Sequence, residues 1–270
     1  GITTANRNVH IGFEAGKLVT EGNSNVYIGA FAGDAATGSS EGNNTCVGDS
    51  AGGAITDGSE NTLIGQGAGA SITTASGQTA IGRESLLSNQ TNVRNTAVGH
   101  GASIYLKGDD NTSLGYSALA GNSSSAATGI NNVAIGTEAM GGNNHTSASD
   151  NVAIGFKAFT AATSGQDNTF IGKNVALEVT TGSYNVAVGE QAMAHATSPT
   201  YSTACGDFAL ANNFNDGGLD TKLTGTYNSA FGFQALGAQI TSGGYNSACG
   251  AWAGREVTTG SNNFFVGYEA

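Results

Sequence analysis

Fifteen times along the chain an apolar residue stands directly before a glycine, and the residue before it is most often alanine. Ile11, Val47, Ile135, Phe231 and Val266 are examples of the first; Ala80, Ala97, Ala134 and Ala187 are examples of the second. One place earlier the residue is mostly Val or Thr, so each run of three alternates in size and is rich in β-branched side chains, the mark of a short strand. The glycines are Gly12, Gly29, Gly48, Gly65, Gly82, Gly99, Gly115, Gly136, Gly155, Gly172, Gly189, Gly206, Gly232, Gly250 and Gly267. Eight of the fourteen intervals between them are 17 residues, and those from Gly115 to Gly136 and from Gly206 to Gly232 are clearly longer.

The flanking positions are as regular. Four residues before the glycine stands Asn in thirteen copies, for example Asn25, Asn95, Asn151 and Asn228, with Gln78 and Ser202 as the exceptions. A stacked Asn column satisfies turn backbone groups coil after coil. Ala follows the glycine by three in thirteen copies, and a second Gly precedes it by seven in nine (Gly22, Gly58, Gly182 and Gly260 among them), marking a turn. A 17-residue unit cannot bury a core alone. The chain is therefore read as an all-β parallel β-solenoid of about 15 coils, a single repeat domain over 1–270 with an inserted loop around 211–224. Each coil is expected to hold two strands of about five residues. So thin a coil lacks interior volume, and the alanine face is expected to be buried by self-association, as a homotrimer.

Composition narrows the function classes. Gly is 43 of 270 and Pro 1, with 11% charged and 39% hydrophobic residues, whose regular placement argues against disorder. The net charge of −11 and nine scattered basic residues argue against a nucleic-acid partner. No apolar run approaches a membrane span, so no membrane insertion is expected. The opening Gly1-Ile2-Thr3-Thr4 is read as the start of a segment of a longer protein. Cys46, Cys205 and Cys249 all fall in strand positions and are read as small buried hydrophobes. No Cys or His spacing suggests a metal, and no cofactor is expected.

The stretch Asn151-Val152-Ala153-Ile154-Gly155-Phe156-Lys157-Ala158 resembles the head repeat of trimeric autotransporter adhesins, a left-handed parallel β-roll. Thr180-Thr181-Gly182-Ser183-Tyr184-Asn185-Val186-Ala187-Val188-Gly189 is more similar to repeats of bacteriophage tail fibres, many of which end in an endosialidase-type chaperone. The resemblance implies a homotrimeric fibre or head, in a virion or at the cell surface, that binds a host glycan or protein receptor. It leaves phage fibre and bacterial adhesin as open alternatives.

In stacked coils equivalent residues form columns, and departures from the repeat are where function is sought. Five residues before the glycine the column holds Asp110, Asn131, Asp150 and Asp167, then Tyr184, Tyr201, Tyr227 and Tyr245 in four successive coils. Such tyrosines offer flat faces and hydroxyls to sugar rings. The insertion between Gly206 and Gly232, carrying Phe214, is a second candidate, expected to interrupt the tyrosine column. Trp252, two after its glycine, is expected to face outward as a sugar or protein contact. The aspartates lack the spacing of a calcium loop. Catalysis has little support. His10, His100, His145 and His195 lie in different columns, and Glu190 and Asp207, expected neighbours, are the best carboxylate pair for a glycan-degrading alternative. The chain is read as no enzyme. Ice binding is set aside because the strand threonines are expected to face partly inward and no regular Thr-x-Thr pair recurs.

Overall fold

A computed structural model describes residues 6–37, 42–124, 126–142, 147–211, 225–237 and 243–270. The chain is an all-β parallel β-solenoid that divides into two compact units, Gly1–Asn131 and Asn132–Ala270. In the first unit the strands are β1 (Val9–Ile11), β2 (Val26–Ile28), β3 (Thr45–Val47), β4 (Thr62–Ile64), β5 (Thr79–Ile81), β6 (Thr96–Val98) and β7 (Thr112–Leu114), each paired in parallel with the next. In the second they are β8 (Val133–Ile135), β9 (Val152–Ile154), β10 (Thr169–Ile171), β11 (Val186–Val188), β12 (Thr203–Cys205), β13 (Ser229–Phe231), β14 (Ser247–Cys249) and β15 (Phe264–Val266), again each parallel to the next. The register is residue for residue, so each position of the repeat forms a column.

Each coil carries one three-residue strand, not two of five. The reason lies after the glycine, where positions two and four later take left-handed backbone, as in Glu84 (φ 57) and Leu86 (φ 49) or Gln191 (φ 56) and Met193 (φ 55). Left-handed residues cannot continue an extended run. Stacking continues nonetheless, because backbone bonds still run from coil to coil: the N–H of Gly52 donates to Ala68 O at 2.9 Å, and that of Gly67 to Asp49 O at 2.9 Å.

The two faces of the strand are the reverse of the expected arrangement. The middle residue points into the coil, so Ala80, Ala97, Ala153, Ala187, Ala204 and Ala230 are fully buried within the chain. The apolar residue before the glycine points outward, and Ile64, Ile81, Leu114, Ile171, Val188, Phe231 and Val266 are exposed. The reason is volume. In most coils the interior is filled by a large residue from either the middle strand position or the position six further on, Ala97 with Ser103 being an exception. Tyr27 faces Gly33, where an added Cβ would lie 2.6 Å from the ring, and Leu63 faces Gly69 at 2.9 Å. Where the strand supplies alanine the later position is large, as in Ala80 with Leu86, Ala187 with Met193 and Ala204 with Leu210. The alanine column is thus the chain's own core and offers no surface for a partner.

Between these columns runs the asparagine ladder. Asn168 is buried and satisfied at every side-chain site. Its Nδ2 donates to Asn151 Oδ1 at 2.9 Å and to Gly182 O at 2.8 Å, and its Oδ1 accepts from the N–H of Asn185 at 3.0 Å and from Asn185 Nδ2 at 2.9 Å. Gln78 keeps the ladder running, donating its backbone N–H to Asn61 Oδ1 and accepting from that of Asn95. Asn89 is a contrast. It is fully buried, yet neither side-chain atom has a hydrogen-bond partner among the described residues. Its equivalents one coil away are Ile72 and Leu106. Asn89→Leu, which keeps the same branched shape, is expected to stabilise the protein by about 1–3 kcal/mol, the cost of the unmet amide. A urea midpoint that falls instead shows that a water satisfies Asn89.

Candidate functional site

The tyrosine column forms a continuous stack in the second unit. Ring centroids are 4.8 Å apart for Tyr184–Tyr201, 5.0 Å for Tyr201–Tyr227 and 4.7 Å for Tyr227–Tyr245, with interplanar angles of 3°, 13° and 4°. The insertion therefore does not interrupt the column, and β12 and β13 pair Thr203 with Ser229 as though it were not there. All four tyrosines adopt left-handed backbone, with φ of 60, 52, 58 and 59°, in a column where Ser24, Asn43 and Asp150 do likewise. For a bulky aromatic this conformation costs about 1–2 kcal/mol per residue, which the stacking offsets in part. Their backbone N–H groups are tied to the preceding coil, as Tyr184 N to Gln166 O at 3.0 Å.

The stack changes what the tyrosines can offer a ligand. The rings of Tyr201 and Tyr227 are covered on both faces by their neighbours, although all four side chains remain 44–59% exposed. Their open surface is ring edge and phenol end. Sugar stacking on flat faces is confined to the two ends of the ladder, beside Asp167 and Asn262 of the same column.

A second aromatic run lies on the other side of the strands. Phe208, Phe233, Trp252 and Tyr268 meet edge to face, with centroids 6.1, 5.9 and 5.1 Å apart. Trp252 is only half-exposed, and its Nε1 donates to Gln234 Oε1 at 2.8 Å. The run alternates between the first and second positions after the glycine, so reading single columns missed it. Reading the two together would have found it. Trp252 also walls a cavity of about 470 Å³ with Arg255, Glu256, Phe265 and Glu269.

Between the two aromatic runs lies the outward strand face. Its −1 and −3 positions (one and three residues before the glycine) hold only Val, Ile, Leu, Phe, Thr, Ser and Cys in all fifteen coils, without one charged residue. The strand threonines, Thr45, Thr62, Thr79, Thr96 and Thr112 among them, stand on this face, so the expectation that they face partly inward is corrected, while the strands still carry no regular Thr-x-Thr pair. Cys205 and Cys249 stand there too and are exposed, whereas Cys46, at the middle position, is buried as expected.

The remaining candidates resolve differently. Phe214 and His145 lie outside the described residues. Glu190 and Asp207 are neighbours, but Asp207 Oδ1 accepts the backbone N–H of Glu190 at 2.9 Å while Glu190 Oε1 pairs with Lys173 at 2.7 Å. Each carboxylate thus has its own partner, a backbone N–H for Asp207 and an ammonium for Glu190. In the aspartate column, Asp110 pairs with Arg94 at 2.6 Å, and that hydrogen bond holds its carboxyl below the usual carboxylate range. No three His, Cys, Asp or Glu residues gather at metal-binding distance among the described residues. No described helix is long and apolar enough to cross a membrane. No protein-family model matches the chain, and neither a curated protein nor a solved structure is significantly similar to it.

Proposed function

We propose that the chain is a structural and adhesive segment of a homotrimeric fibre, of the phage tail-fibre kind, that presents an attachment surface to a host-cell glycan. The observation that carries the adhesive part is the tyrosine ladder: four bulky side chains held half-exposed in left-handed backbone over four consecutive coils. Its open edges and phenol ends suit hydrogen bonding to an extended glycan lying along the stack, one tyrosine per coil. The head of a bacterial trimeric adhesin is the alternative, and detection of the chain in purified virions or in bacterial outer-membrane fractions separates the two. A non-enzymatic role is supported by the separate engagement of Glu190 and Asp207.

The trimer rests on the outward strip, not on the alanine face. In the second unit, eight three-residue strands, each about 10 Å wide and stacked at ~4.8 Å, give a surface of roughly 400 Å², about half of the ~800 Å² each partner contributes to a stable interface, so the aromatic rows that flank the strip are required to take part. The strip carries no charge on a chain with 29 charged residues and its −1 column is apolar throughout, which supports self-association. Ile171→Asp is expected to convert a sedimenting trimer to monomer, because it places a charge within that face. A wild-type chain that sediments as a folded monomer overturns the trimer.

For attachment, changing Tyr184, Tyr201, Tyr227 and Tyr245 together to Ser is expected to abolish binding on an array of host glycans, with unchanged circular dichroism. Binding that survives in the folded variant removes the ladder from the site.

A further inference from the structure

We propose that the exposed cysteines of the outward strip meet their own copies in the assembly, Cys205 against Cys205 and Cys249 against Cys249, and that oxidation there locks the fibre covalently. The inference rests on the trimeric reading above. Three copies closed by a three-fold axis are necessarily parallel and in register. To bury the strip along its length the axis must run along the direction of stacking. Every residue of the strip then lies level with its equivalents in the other two chains.

Cys205 and Cys249 occupy the −1 column on either side of Phe231, with Cys205 opposite Phe231 and Phe231 opposite Cys249 in the parallel register. Both are free and exposed. Within one chain they stand two strands apart, about 9.6 Å at the usual spacing, beyond the ~7 Å that a disulfide can span between Cα atoms. They therefore cannot pair with each other in one copy. Cys46 faces the core and is fully buried, so it cannot compete. The column elsewhere is Val, Ile, Leu or Phe, and these two coils alone carry thiols on the outside.

The chemistry balances with a mild thiol oxidant such as diamide. Two S–H bonds are lost and one S–S bond forms, and the two protons and two electrons pass to the N=N bond of diamide, which becomes the hydrazine. At one level of a three-fold assembly only two of three thiols can pair. Two levels suffice to tie all three chains, one pair through Cys205 and another through Cys249.

The test is denaturing, non-reducing electrophoresis of the diamide-treated chain. Wild type is expected to give covalent dimers and trimers. Cys205→Ser and Cys249→Ser are each expected to give dimers and no trimers, and the double variant only monomers. The extent of linkage should not change across a dilution series if the copies are already assembled. Loss of all linkage in either single variant means that Cys205 pairs with Cys249, an antiparallel arrangement that overturns the proposal. In a chain that sediments as a trimer across the dilution series, linkage that falls with dilution, or is absent, also overturns it and leaves the trimer standing. A monomer in sedimentation removes the trimeric reading itself.

Discussion

Gly65→Ala is expected to cost ~3–5 kcal/mol, the sum of backbone strain and overpacking, and to collapse hydrogen-exchange protection in the coils on either side. The anchoring glycine has a φ of +135°, and a Cβ placed on it would sit 2.5 Å from the carbonyl O and 2.6 Å from the carbonyl C of Gly82 in the next coil. These are backbone atoms of a paired strand end, so neither can give way without breaking the stack. Gly67, two residues on, is the control. Its φ of +67° is also left-handed, but an added Cβ meets nothing nearer than Glu84 Cγ at 3.7 Å. Gly67→Ala is expected to cost about 1 kcal/mol. If the urea midpoints of the two variants fall equally, close approach between glycine backbones is not what the repeat conserves in space.

The second large effect is in the asparagine ladder. Asn168→Ala removes four hydrogen bonds and leaves the N–H of Asn185 and the carbonyl of Gly182 facing a hole, since both are now paired with the Asn168 side chain. At about 1–3 kcal/mol per buried group left unsatisfied, the loss is expected to be ~3–5 kcal/mol. Asn168→Asp is expected to be worse, although it is nearly isosteric. It turns the Nδ2 donor into an oxygen facing Asn151 Oδ1 and Gly182 O, and buries a charge among acceptors. Asn168→Gln is expected to be the mildest, because Gln78 already serves in the same column. Thermal unfolding of the three variants should rank them Gln, Ala, Asp; an Asp variant as stable as the Gln variant would sink the donor-and-acceptor account.

Much of this fold was legible in the sequence because the repeat is a register. The spacing of the anchoring glycines marks the coils, and Asn151, Asn168 and Asn185 recur at the spacing of a column. Which face of the strand is the inside was not legible from alternation. A period of two separates residues into two faces but does not say which one is buried. Volume does say it, and the pairing of Tyr27 with Gly33 and of Ala80 with Leu86 is visible in the sequence once the two positions are compared. The cysteines followed the same error: Cys46 sits in the middle of its strand and Cys205 and Cys249 at the end, which places them on opposite faces. The tyrosine column was found by position, but its covered faces follow only from knowing that neighbouring rings stand a strand spacing apart.

The insertion between Ala211 and Gly225 does not shift the stack on either side: Leu210 N donates to Ala235 O at 3.1 Å before it, and Tyr227 N to Thr200 O at 2.9 Å after it. The intervals from Gly29 to Gly48, from Gly136 to Gly155 and from Gly232 to Gly250 also exceed 17 residues, and the strands on either side of each still pair residue for residue. The corner of the repeat between the alanine after one glycine and the asparagine before the next is a cassette site. Segments of different length and chemistry can be exchanged there while every hydrogen bond of the scaffold is kept. A lineage under pressure to change what it recognises could thus alter its loops without having to solve the folding problem again, and the same corner is where a foreign peptide could be grafted.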